Sequence, residues 1–79
     1  MHGRSSLDGR TSAQREPDIV QRVADGATNA QIGRALGLPE TTIKNELRKI
    51  YDRLGLWNRV ELALWYIKHQ YDHERALVQ

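Results

Sequence analysis

Apolar residues fall at helical spacing in four stretches of the chain, each with its own start and stop signals. Ile19, Val20, Val23 and Ala24 share one stripe, which predicts a first helix from about Ala13 to Asp25. Ser12 is its expected N-cap, Pro17 comes early enough to be tolerated, and Gly26 follows its end. A short second helix is predicted over 29–36, capped by Thr28 and stopped by Gly37, with Ile32, Ala35 and Leu36 inward. The third is predicted over 40–54, opened by Pro39 and ended by Gly55. Its Ile43, Leu47, Ile50 and Leu54 form a narrow buried stripe. A fourth starts at Asn58, where Asn58 and Glu61 have capping-box spacing. Val60, Ala63, Leu64 and Ile67 are its expected inner face. The sequence has no β-like alternation and no internal repeat, so the expected class is all-α.

Only Gly37-Leu38-Pro39 joins helices two and three, and a short Gly-containing turn between short helices is the helix-turn-helix pattern. Gly33 lies mid-helix, where Gly costs about 1 kcal/mol relative to Ala. A close approach of the two helices is a reason to carry it. Gly37 suits the left-handed residue that the turn requires. A helical hairpin in an unrelated bundle is the competing reading.

With Ile43 inward, Thr41, Lys44, Asn45, Arg48 and Asp52 project to the opposite side of helix three. Lys44 and Arg48 can donate to guanine O6 and N7, and Asn45 can pair with adenine N6 and N7. These three are the expected base-reading residues, although an ordinary solvated face carries the same residue types. Lys49 and Arg53 flank them within reach of phosphates. Thr28 and Asn29 at the start of helix two, and Thr41 and Thr42 at the start of helix three, are phosphate-contact candidates or plain caps.

Length and charge bound this picture without redirecting it. The chain has 79 residues, enough for one small domain. Residues 1–11 read as a flexible arm or linker, from which Arg4 and Arg10 could touch phosphates, and 12–79 as the helix-turn-helix domain. No receiver or ligand-binding domain fits beside it, so a stand-alone regulator and the C-terminal part of a larger one both stay open. Cysteine is absent, which excludes disulfides and cysteine-ligated zinc. No apolar run has the length of a membrane span, so the expectation is a cytoplasmic, nucleoid-associated protein with no membrane partner. Net charge is +2, only mildly basic, so the placement of charge matters more than its sum. His69 and His73 are four apart but lack a third ligand, so no metal and no cofactor is expected. No catalytic arrangement suggests an enzyme.

Helix four carries a second apolar face of Leu62, Trp65, Tyr66 and His69. One helix of a small domain cannot bury both faces in its own core. The expectation is a two-fold homodimer through this second face, matched to half-sites about one DNA turn apart.

From Arg15 onward the chain resembles the LuxR/FixJ (GerE-type) helix-turn-helix domain of bacterial transcription regulators. The matching stretches are Arg15-Glu16, residues 24–38, residues 41–56 and residues 58–65. The resemblance implies the four-helix LuxR/FixJ-type fold and sequence-specific binding of double-stranded DNA to regulate transcription. It also implies a third helix in the major groove and a fourth that supports dimerisation. By position, Lys44, Asn45 and Arg48 fall on base-facing sites, and Thr28, Thr42 and Lys49 on backbone-facing ones. RNA polymerase or another regulator is a further partner to expect. A sigma-factor region four shares the first three helices, but the link from Gly55 into a fourth helix favours the LuxR/FixJ type.

Three departures stand out. Ser12-Ala13 replaces the usual Leu-Thr, Pro39 replaces Ser before helix three, and Glu46 replaces His. The wheel places Glu46 on the flank toward neighbouring helices, so an internal ion pair with an Arg is expected. A carboxylate near DNA, with the modest net charge and the aromatic face, also keeps an alternative in view: a protein-interaction module of this fold that binds another regulator.

Overall fold

The structure is a computed structural model that describes residues 10–78, with side chains described as far as Gln70. Arg4 and the side chain of His73 lie outside the described residues. Four helices follow in order: α1 (Ser12–Ala24), α2 (Asn29–Leu36), α3 (Glu40–Leu54) and α4 (Arg59–Val78). The described residues form no strand, in agreement with the all-α expectation. α1 packs on both α3 and α4, and α2 packs on α3. Ile19, Val20 and Val23 meet Ile32, Leu36, Leu38, Ile43, Leu47, Ile50 and Leu62 in one buried cluster.

The start of α1 differs from expectation. Thr11, not Ser12, is the N-cap: its hydroxyl accepts from Gln14 N–H at 3.2 Å, and the Gln14 side chain accepts from Thr11 N–H at 2.9 Å. This capping box satisfies two end donors at once. Ser12 is thereby drawn into the first turn, and its hydroxyl donates to Glu46 instead. Thr28 and Gln31 repeat the same box at α2.

The α2–α3 turn explains two glycines. Gly37 has φ 72°, a left-handed conformation that costs a side-chain-bearing residue energy. A Cβ on Gly33 would stand 2.6 Å from the Leu38 carbonyl oxygen, inside the space where Leu38 N–H returns to Gly33 O at 2.8 Å. The turn itself, rather than a distant helix face, demands glycine there. Pro39 takes the N-cap position of α3 and supplies no side-chain cap. Its carbonyl accepts from Thr42 and Ile43. Ala35, expected inward, is exposed.

α4 reverses the expected faces. Leu62 is fully buried, and Trp65 and Tyr66 pack against the core. They lie beside Pro17 and Val20 of α1. Val60, Leu64 and Ile67, the expected inner face, are 65, 62 and 55% exposed. The physical reason is area. Leu62, Trp65 and Tyr66 together carry more apolar surface than Val60, Leu64 and Ile67, so α4 docks with its larger side chains inward. Leu62 is therefore a core residue, and Trp65 and Tyr66 are half-buried against the core. His69, at the exposed end of this face, stacks on Trp65 with ring centroids 4.2 Å apart.

Candidate nucleic-acid interface

The core stripe of α3 leaves its opposite side to solvent. Thr41, Lys44, Asn45, Arg48 and Asp52 are all exposed there. No described carboxylate forms an ion pair with Lys44 or Arg48. These cations keep their hydrogen-bond donors for an outside acceptor. The structure thus brings the three expected base-reading residues onto one open face, with Thr41 at its start and Lys49 exposed at its edge.

The flank of α3 that faces α1 is held by two ion pairs. Arg15 Nη2 donates to Glu46 Oε2 at 2.8 Å, and both residues are buried. Ser12 completes the site from the same side. Arg15 Nη1 also donates to the Arg10 carbonyl at 2.8 Å, so the chain entering α1 is tied into this cluster. Burial by itself raises the Glu46 carboxyl. The hydrogen bonds from Ser12 and Arg15, with the charges of Lys49 and Arg15, outweigh it and hold Glu46 below its ordinary value. The expected internal pair with an arginine is present, and Glu46 does not point at the reading face.

The second pair engages Arg53, one of the expected phosphate-contact residues. Arg53 sits half a turn of the wheel from Lys44 and forms a two-pronged pair with Glu16 of α1, one arm at 2.7 Å. It belongs to the α1–α3 seam. The first turn of α2 is also engaged. Thr28 caps the helix, and Asn29 Oδ1 accepts from Arg59 Nη1 at 2.8 Å. Arg59 Nη2 donates to the Ala27 carbonyl at 2.7 Å, so the first residue of α4 is fastened to the start of α2. At the same end of α4, Asn58 Oδ1 accepts from Glu61 N–H, while Glu61 reaches past Asn58 to Trp57 N–H. The expected capping box is displaced by one residue on its return side.

Beside Lys44 and Arg48 the structure also places Tyr51 and Arg59, which the sequence reading left without a role. Tyr51 lies two turns after Lys44 on the same edge of α3, a spacing visible in the sequence. The approach of Arg59 depends on how α4 docks.

The family profile of the bacterial regulatory proteins, luxR family (GerE), matches residues 13–66, which takes in α1 to α3 and the start of α4. The chain belongs to the LuxR family. This LuxR-family domain is 37% identical over 51 residues to the nitrate/nitrite response regulator protein NarL of Escherichia coli K12. That match covers 65% of this chain and 24% of NarL. It is 35% identical over 57 residues to the putative HTH-type transcriptional regulator YhjB of the same strain, covering 72% of this chain and 28% of YhjB. It is 28% identical over 61 residues to the CsgBAC operon transcriptional regulatory protein of E. coli K12, covering 77% of this chain and 28% of that protein. The LuxR-family chain spans about a quarter of the length of these relatives. No solved structure matches it significantly. The family is one of DNA-binding transcription regulators and not an enzyme class. No described helix is long and apolar enough to cross a membrane.

Proposed function

We propose that the domain binds double-stranded DNA sequence-specifically as part of a transcriptional regulator, with α3 in the major groove. Lys44, Asn45 and Arg48 read base edges; Thr28, Asn29, Thr41, Thr42 and Lys49 contact the backbone. The observation that carries this reading is the open face of α3, where an amide and two cations without an ion pair among the described residues stand together opposite the core stripe. The alternative module that binds another regulator rests on Glu46, the modest net charge and the aromatic face of α4, and the structure bears on the first of these. Glu46 is buried against Arg15, so the alternative keeps only the other two grounds.

Selection of preferred duplexes from a random pool, followed by affinity measurements across salt, tests the reading. Affinity for the selected site should fall steeply as salt rises. Arg48→Ala should cost about 1–3 kcal/mol on the selected site and little on random DNA. Lys49→Ala should weaken both alike. Equal losses for Arg48→Ala on both duplexes would remove its base-reading role, and absence of duplex binding at low salt would remove the whole reading.

A homodimer remains part of the reading, through a different face from the one expected. Val60, Leu64 and Ile67 form an exposed apolar stripe on α4, with exposed Trp57 just before the helix. Contiguous exposed apolar side chains mark contact surfaces. A second copy meeting the same stripe would give the two-fold symmetry that paired half-sites require. Sedimentation at micromolar concentration should show a dimer that Leu64→Glu converts to a folded monomer. A wild-type monomer that binds two half-sites no tighter than one would overturn it.

A further inference from the structure

The side of α3 nearest α2 and α4 holds a hollow of about 230 Å³. Its lining is Asn29, Lys44, Leu47, Arg48, Tyr51 and Arg59: three cations, an amide, a phenol and one aliphatic floor, with no carboxylate. Three elements converge on it, and the polar contacts between them are already made. Arg59 uses one N–H on each Nη for Asn29 and Ala27, which fixes its guanidinium plane. A guanidinium has five N–H donors, so three remain. Asn29 turns its carbonyl oxygen to Arg59 and keeps its NH2 group as a donor. Burial pushes the Tyr51 phenol up, against the opposing charge of Arg59, so the hydroxyl keeps its proton at neutral pH.

We propose that this hollow seats one backbone phosphate of the bound duplex, and that Tyr51 and Arg59 are DNA-contacting residues. The inference rests on the DNA-binding reading above. The donors converge from separate elements on one small volume, which suits a compact tetrahedral anion. The site is continuous with the reading face, because Lys44 and Arg48 border both. When α3 lies in the major groove, the phosphates along the groove edge pass on its α2 side. A duplex phosphate therefore reaches this position in the pose that brings Lys44 and Arg48 to the bases. Tyr51 then donates its hydroxyl to a phosphate oxygen, and Arg59 presents a pre-oriented fork held by α2.

The test uses the duplex selected above, with single phosphates replaced in turn by uncharged methylphosphonate. Wild-type protein should lose about tenfold in affinity when the seated phosphate is neutralised. Tyr51→Phe, which keeps the packed ring, should bind the unmodified duplex about tenfold more weakly. It should then be nearly indifferent to neutralisation at that one position and respond as wild type elsewhere. Arg59→Gln should reduce the slope of log affinity against log salt by about 0.9, and Arg59→Lys should restore the slope but not the full affinity. Circular dichroism and thermal melting verify that the variants are folded. If Tyr51→Phe binds the unmodified duplex like wild type, or its loss adds in full at every neutralised position, the hollow does not hold a phosphate and the DNA reading stands. If wild-type protein binds no duplex, both fall together.

Discussion

α3 and α4 follow one another in the chain, yet the fold uses them in opposite ways. α3 has one apolar stripe, closed by Ile43, Leu47 and Ile50, and everything opposite it is polar. α4 has apolar residues all round and, among its described side chains, closes only Leu62 completely, leaving Val60, Leu64 and Ile67 in solvent. A one-sided helix has a single way to dock, so its outer face is determined as soon as its core face is. A two-sided helix has a choice, and packing volume makes it. The face left over is available for an interaction, while the outer face of α3 is available for a charged ligand.

The sharpest test of this contrast is to truncate one apolar residue on each helix. Ile43→Ala should cost about 3–4 kcal/mol in urea denaturation, because it opens a cavity where no side-chain surface is exposed. Leu64→Ala, at dilute concentration, should change stability by about 0.5 kcal/mol or less. Comparable losses would mean that α4 buries both its faces, and the contrast would collapse.

The next effect lies on the flank of α3, where a charge is buried. Glu46→Gln keeps the shape but leaves Arg15 without its counter-charge, and should cost about 3 kcal/mol at neutral pH. The folded carboxyl is held below its ordinary value, so its contribution is complete above about pH 4.3, the unfolded range. It is lost as pH falls through the folded value. The stability gap between wild type and Glu46→Gln should therefore close on acidification below about pH 4. A gap that stays constant between roughly pH 3 and pH 7 would mean the pair contributes through packing alone.

The same contrast explains what was legible in the sequence. The stripe of α3, its turn glycines and the inward flank position of Glu46 follow from period and spacing, because only one phase buries Ile43, Leu47 and Ile50 together. For α4 two phases were available: Val60-Leu64-Ile67 and Leu62-Trp65-Tyr66. Periodicity does not rank them; the area of Trp65 and Tyr66 against α1 does. The cap at Thr11 is hidden for a different reason. Thr11 and Gln14 carry capping-box spacing, but Ser12 beside them is an equally good cap by residue type. What separates them is the distant partner Glu46, which the Ser12 hydroxyl meets across the fold. The role of Arg59 was likewise hidden, since its contacts with Ala27 and Asn29 exist only once α4 has docked.

Arg53 gives the smallest expected effect and decides where the seam between α1 and α3 ends and the DNA face begins. Its side chain is 56% exposed, so the pair with Glu16 is screened by solvent, and Arg53→Gln should cost about 0.5 kcal/mol. The comparison that matters is with Lys49, one turn earlier on the same flank and without an ion pair among the described residues. Removing Lys49 should lower the salt slope of DNA binding by about 0.9, the loss of one neutralised phosphate. Removing Arg53 should leave that slope unchanged, because its guanidinium is already turned to a carboxylate on α1. Glu16→Gln sharpens the test by releasing Arg53 from its partner. If Arg53→Gln flattens the salt dependence as much as Lys49→Ala does, the pair with Glu16 gives way in the complex. The reading face would then extend around the flank to the α1 seam.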